Sequence, residues 1–506
     1  MRHDQTERAY EQLVLHARET ALLASIEGLL GWDERTMLPT QGGPYRAEQM
    51  SFLAGEIHRR QTDPRVGEWL AELDGSNLIA NPHSDAGATV RGIRRRHERQ
   101  AKLPQSLVEE LARTAVLGQQ TWTVAREAND FARLAPLLEK TFRLKREQAE
   151  AIGYEECRYD ALLDDFEPYG RTSQIVPLLA GLRNALVPLI DQIRGAPRRP
   201  RSNVLTGNFP EEIQRCFSHS IAQKIGFDFR RGRLDTTHHP FCGGAGPHDV
   251  RITTRYDPQH VTSALFGTLH EAGHGIYEQG LPNDAYGLPL GEAVSLGIHE
   301  SQSRLWENQI GRGRPFWDCF YTQTQQTFAP QLNDVTLDDF YFAINEVRPS
   351  LIRVEADEAT YNLHVLIRFE LERALLDDQL QVADLPAAWN EAYRAALGIE
   401  PETDRDGLMQ DIHWSAGLIG YFPTYALGNL YAAQFFEKAE EDIDGLATQV
   451  RQGAFHPLAH WLQSNIHTHG QRFTAAELVN RVTGRPLAHQ ALIEHLTQKL
   501  GSLYGI

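Results

Sequence analysis

The chain of 506 residues carries 50 lysines and arginines against 67 aspartates and glutamates, a net charge of −17. That balance excludes nucleic acid or an anionic membrane surface as the principal partner, while the length is ample for a large buried core. Cys157, Cys216, Cys242 and Cys319 lie far apart with no CxxC pairing, which fits reduced, structural thiols and excludes a cysteine metal site.

The first residues, Met1-Arg2-His3-Asp4-Gln5-Thr6-Glu7-Arg8, are polar and partly acidic, unlike a signal peptide or transit sequence. No apolar run approaches the eighteen or so residues of a membrane span, so a soluble, cytoplasmic protein is expected. Helical periodicity then dominates. Apolar residues recur every three or four positions from Thr6 to about Gly31, Ala47 to about Leu73, Ala86 to about Ala151 and Gln174 to Gly195. These read as long antiparallel helices, separated or interrupted by turn signals at Pro39 to Pro44, Leu103-Pro104 and Gly195-Ala196-Pro197. Arg94-Arg95-Arg96 reads as a solvated helix face and Arg198-Arg199-Pro200-Arg201 as a loop.

Between Arg233 and Tyr256 the pattern changes. A glycine-rich stretch, Cys242-Gly243-Gly244-Ala245-Gly246-Pro247, precedes the alternating, β-branched Asp249-Val250-Arg251-Ile252-Thr253-Thr254, which predicts a small hairpin. Such a strand can stabilise the fold or pair with an extended peptide.

A helix of about twenty residues follows, with Asp257-Pro258 as its start signal and Gly280-Leu281-Pro282 as its stop. It contains His270-Glu271-Ala272-Gly273-His274. Val261, Leu265, Leu269, Ala272 and Ile276 share one face, and His270 and His274 fall on nearly the opposite one. Imidazoles four residues apart can reach one ion about 2.0–2.1 Å away, while Glu271, off that pair, can hold a water as general base. Each of Gly273 and Gly275 costs up to about 1 kcal/mol in a helix interior, so a close approach to that backbone is expected. The next helix is expected to begin near Leu290. Glu292, Glu300 and Glu307 share its polar face, and periodicity does not choose among them as a third ligand.

Six segments in order carry a family resemblance: His239-Pro240-Phe241; Asp249-Val250-Arg251-Ile252-Thr253; His270-Glu271-Ala272-Gly273-His274; His299-Glu300-Ser301; Ile352-Arg353-Val354-Glu355-Ala356-Asp357; and Gly407-Leu408-Met409-Gln410-Asp411-Ile412-His413-Trp414. They resemble the HPF, DxRxT, HExxH, HES, IRxxAD and GxxQDxHW motifs of the carboxypeptidase Taq family of metallocarboxypeptidases. The resemblance implies a mainly α, long-helix, cleft-containing neurolysin-like fold with a small β hairpin or sheet beside the active site. It implies one catalytic unit over 1–506, two helical lobes around a cleft, and a motif-bearing core at approximately 233–430. It further implies Glu300 as the third metal ligand with His270 and His274, a zinc or cobalt ion, peptide substrates and a homodimer.

The expected reaction is hydrolysis of single amino acids from a free peptide C-terminus by a zinc-activated water, with Glu271 as general base. Arg353, matching the family's IRxxAD arginine, is expected to bind the terminal carboxylate; an ion pair with Asp357 is its structural alternative. His413 and Tyr425 are expected to donate to substrate oxygens. Asp249 and Arg251 are read as outer groups of the site or as a pair locking the hairpin, and His239 and His299 as cleft-lining residues. An oligopeptidase or dipeptidase on the same metal site, and a non-catalytic helical binding protein, are the competing functions.

Overall fold

Capping residues decide where the periodic segments stop. The computed structural model describes residues 2–506 and is mainly helical, with one three-stranded sheet. The first expected helix runs over Arg2–Thr36. The stretch read as one helix from Ala47 to Leu73 is two, Gly43–Gln61 and Pro64–Leu73. The Asp63 carboxylate accepts from the Arg65 N–H and Pro64 takes the first helical position, which starts a new helix. The stretch from Ala86 to Ala151 is three helices, Asp85–Ala101, Gln105–Ala128 and Phe131–Ile152. Its second break is at Asn129, left-handed at φ 52°, followed by the Asp130 cap.

The chain divides into two compact units, each assembled from three stretches. The first unit runs to Ala101 and takes in Arg201–Ile344 and Phe435–Pro486. Its N-terminal helices enclose a small core of Ala9, Leu13, Val66, Leu70, Leu73 and Val90. Arg94 and Arg96 are partly buried and paired, with Asp74 and Glu292 respectively, at 2.6 Å each, so the expected solvated arginine face is a set of tethers.

The sheet belongs to this unit. Strands β1 (Gly232–Thr236), β2 (Cys242–Gly246) and β3 (Asp249–Thr254) lie in the order β1-β3-β2. The expected hairpin forms as antiparallel β2–β3, but the glycine-rich stretch is strand β2 itself and not the loop, the turn falling at Pro247-His248; β1 adds a parallel partner that sets Leu234 opposite Ile252. The helix Ser263–Gly280 packs on β3 and is buried on most sides. It starts later than expected. Asp257 instead closes a turn, its carboxylate accepting from the Gln259 N–H, and the Val261 N–H bonds the Leu205 carbonyl before the helix begins. Thr262 takes the cap position.

The following helix also starts later than the expected Leu290. Short turns fill Asn283–Ala285 and Pro289–Gly291, and Ser295 caps Leu296–Arg304 by accepting from the Ile298 N–H. Glu292 therefore lies outside that helix and does not share the face of Glu300. From Leu305 to Gly311 the helix continues with π geometry.

The second unit comprises Lys102–Pro200, Asn345–Gln434 and Leu487–Ile506. Helices Gln105–Ala128 and Phe131–Ile152 pack together, and Tyr361–Leu376 is buried along most of its length. Thr172–Gly195 is long and apolar enough, by length and composition, to cross a membrane, which the sequence reading did not anticipate. In this unit it buries Ile175, Leu179, Leu182, Leu186 and Ile190 along one face, and its Arg183 pairs with Glu370 at 2.7 Å, the pattern of an amphipathic helix.

Candidate metal centre

Three donors converge in the first unit. His270 and His274 stand one turn apart on Ser263–Gly280, and Glu300 projects from Leu296–Arg304. Glu300 Oε2 is 3.6 Å from His270 Nε2 and 3.4 Å from His274 Nε2, and one donor atom of each residue lies within 4.8 Å of the others. Donors about 2.05 Å from a tetrahedral ion stand roughly 3.3 Å apart, so these spacings fit a zinc-like ion with little adjustment. The helices meet closely enough because residue 273 is glycine. A Cβ there would come within 2.5 Å of the Gln302 carbonyl oxygen and 2.6 Å of the Ser303 Cα.

Arg304 Nε donates to Glu300 Oε1 at 2.7 Å and Ser303 Oγ donates to Oε2 at 3.0 Å. Burial favours the neutral acid, but Arg304 and His270 outweigh it and hold the Glu300 carboxyl well below the usual range. Burial also opposes charge on His270, where Glu300 and the Glu307 hydrogen bond prevail and its pKa is raised. His274 is pushed down to about 4, by burial first and then by His299. The second imidazole nitrogens are held too. His270 Nδ1 lies 2.9 Å from Glu307 Oε2, and His274 Nδ1 lies 2.6 Å from His299 Nδ1.

Glu271 is 6 % exposed and stands apart from the three donors. Its Oε2 is buried with no hydrogen-bond partner among the described residues, and burial pushes its pKa up to about 7. An orphaned carboxylate oxygen beside converging donors is what a site holding an ion and a water requires.

Arg353, His413 and Tyr425 gather in the second unit. Arg353 sits in a short turn, Arg353–Glu355, and is 4 % exposed. Its expected alternative partner, Asp357, instead accepts from the N–H groups of Arg348, Ala359 and Thr360. The guanidinium donates to Asp411 Oδ1 from Nε (3.1 Å) and Nη2 (2.8 Å), and to the Tyr361 hydroxyl from Nη1 (3.0 Å). A second buried guanidinium, Arg368, donates to Asp411 Oδ2 at 2.6 Å. One carboxylate between two guanidiniums leaves a buried positive charge, which favours an anion. His413 Nε2 lies 3.3 Å from the Tyr425 hydroxyl, and the Arg353 guanidinium lies 5.0 Å above the Tyr425 ring.

Of the remaining expected residues, Asp249 and Arg251 form a two-point ion pair on β3 at 2.7 and 2.8 Å, with Arg251 stacked on Trp32. His239 is exposed between β1 and β2. His299 touches His274 directly. Sequence reasoning passed over Asp411, although it lies inside a recognised motif, and gave no role to Glu278, four residues after His274 and so on its helical face.

A family model described as Carboxypeptidase Taq (M32) metallopeptidase matches residues 12–500. The chain is 47 % identical to thermostable carboxypeptidase 1 of Thermus thermophilus, covering 99 % of both chains. It is 40 % identical to carboxypeptidase 1 of Bacillus subtilis, over 94 % of this chain and 95 % of that one. Among solved structures, the M32 carboxypeptidase from Deinococcus radiodurans R1 superposes with a TM-score of 0.95 at 43 % identity, covering 99 % of this chain and 100 % of that chain. A Pyrococcus furiosus carboxypeptidase gives 0.93 at 34 % identity, covering 97 % and 99 %.

Proposed function

The chain belongs to the carboxypeptidase Taq (M32) family of metallopeptidases, and from that membership we propose that it removes single amino acids from the free C-termini of peptides, using a divalent ion held by His270, His274 and Glu300. The observation that carries the proposal is the convergence of those three donors beside a buried carboxylate, Glu271, that belongs to none of them. Zinc is the ion that suits two imidazoles and a carboxylate, with cobalt as the alternative. A homodimer and a cytoplasmic location belong to the same proposal, the latter supported by four free thiols.

A bound divalent ion supplies Lewis acidity, which activates water and polarises the scissile carbonyl. Glu271 takes a proton from that water on its orphaned oxygen and passes it to the leaving amine nitrogen. Burial, which raises the Glu271 pKa in the metal-free chain, strengthens this carboxylate as a base. Arg353 takes the terminal carboxylate, pre-positioned by Asp411 and Tyr361, and His413 and Tyr425 donate to substrate oxygens.

The test compares kcat/KM for free-ended and amidated peptides, in the parent and in Arg353→Ala. Loss of a buried charge-assisted pair costs on the order of 2–5 kcal/mol, so either change alone should lower efficiency by roughly 30- to 5,000-fold. Together they should add little, because they remove the same contact. Equal cleavage of amidated and free peptides would favour an oligopeptidase instead.

A further inference from the structure

The two histidines of the metal centre are backed in different ways. His270 Nδ1 faces a carboxylate directly, Glu307 Oε2 at 2.9 Å, and Glu307 is itself held by Arg304 and Arg312 at 3.3 and 3.5 Å. His274 Nδ1 faces another imidazole, His299 Nδ1 at 2.6 Å, whose Nε2 in turn lies 2.8 Å from Glu278 Oε1. Glu278 stands four residues after His274 on the same helix, and His299 reaches between them from the next one.

Hydrogen-bond logic fixes the order of protons along this chain. His274 can offer Nε2 to an ion only if that nitrogen keeps its lone pair, so its proton sits on Nδ1. His299 must then accept at Nδ1, which places its own proton on Nε2 and directs it to the Glu278 carboxylate. The other neutral arrangement with a single proton between the facing nitrogens puts it on His299 Nδ1, which leaves His274 protonated at Nε2 and unable to bind an ion, and turns a His299 lone pair toward the Glu278 carboxylate.

We propose that His299 and Glu278 are positioning residues that act as one relay, locking the tautomer and ring orientation of His274 and raising its strength as a ligand. The proposal rests on the metal assignment above. Outer partners of ligating histidines commonly contribute 10- to 100-fold in metal affinity, and here the contribution of Glu278 passes through His299.

The experiment measures zinc affinity by chelator competition for the parent, Glu278→Ala, His299→Leu and the double variant, with the cobalt(II) absorption spectrum as a second readout. Melting of the metal-free proteins serves as the folding control. Glu278→Ala should weaken zinc binding by roughly 10- to 100-fold and shift the cobalt bands, while metal-free melting stays near the parent value. Glu278→Gln, which keeps an acceptor oxygen, should fall between the two. His299→Leu removes both ring nitrogens, so nothing passes from Glu278 to His274 and Glu278→Ala should have little further effect in that background. Equal losses from Glu278→Ala in both backgrounds would overturn the relay, as would parent-like affinity in Glu278→Ala. His274→Ala separates the two claims. If it leaves zinc affinity unchanged, the metal assignment itself fails; if it abolishes binding while Glu278→Ala and His299→Leu bind like the parent, only the relay fails.

Discussion

Glu271 and Glu300 occupy neighbouring helices and are each 6 % exposed, yet their carboxyls are driven in opposite directions. Burial raises both. Arg304 stands 2.7 Å from Glu300 and reverses the effect there, while no such cation is hydrogen-bonded to the orphaned oxygen of Glu271. The difference suits an ionised ligand beside a proton carrier. Glu271→Gln should therefore retain the metal and lose roughly 10²–10⁴ in turnover, more if water positioning also fails. Near-parent turnover, or loss of metal measured by elemental analysis, would remove the base role. Glu300→Ala should lose the metal, whereas Glu307→Ala should keep it with roughly 10- to 100-fold weaker affinity, because Glu307 supports His270 from behind. The sequence made the two histidines legible through their spacing alone. It could not separate Glu300 from Glu292 and Glu307 without the family motif, since that requires knowing that Glu292 precedes the helix and pairs with Arg96.

At the scale of elements, the site depends on how closely Ser263–Gly280 approaches Leu296–Arg304. The two glycines expected to permit a close approach both do so: Gly273 faces the Gln302 carbonyl, and Gly275 faces Phe227 and Ile252. Gly267 differs, because a Cβ there would meet only Thr254 Oγ1, at an ordinary 3.5 Å. Gly267→Ala should accordingly be neutral or stabilising by up to about 1 kcal/mol through helix propensity. Gly273→Ala gains the same propensity but must push backbone aside, for a net loss of about 1–3 kcal/mol. It should also weaken metal binding, since the displaced helix carries Glu300. Denaturant melts of both variants, with zinc affinity, check this; a harmless Gly273→Ala would mean that the helices can separate without consequence. Element types were readable from periodicity, whereas their starts were not. Asp257 and Ser295 are both good caps by residue type, but Asp257 closes a turn in a segment already bonded to Leu205, a long-range choice that local sequence does not encode.

Each compact unit draws on three separated stretches, and one boundary, between Gln434 and Phe435, falls inside the helix Pro423–Asp442 where no turn residue marks it. Helical periodicity reports which face of a segment is buried, not which distant segment buries it, so this interleaving was invisible in the sequence. Glu372 shows what ties such stretches together. It is fully buried in the second unit and accepts from the Tyr159 hydroxyl (2.6 Å), from Trp414 Nε1 (2.8 Å) and from the Gly420 N–H (3.2 Å), joining 102–200 to 345–434. Three donors favour the carboxylate, but burial outweighs them and pushes the pKa from 4.5 up to about 7. The folded chain therefore holds this proton more tightly than the unfolded chain does. The resulting stabilisation is fully present below pH 4.5 and is lost as pH rises through about 7, an amount of about 3 kcal/mol for a shift of this size. Glutamine at this position cannot titrate, so subtracting the Glu372→Gln stability curve from the parent curve isolates the contribution. The difference, from denaturant melts between pH 4.5 and 8, should move against the parent with rising pH and level off above the folded pKa. A difference that stays flat across that range, or grows in favour of the parent, would mean that Glu372 is already ionised in the folded chain and that its three donors outweigh its burial.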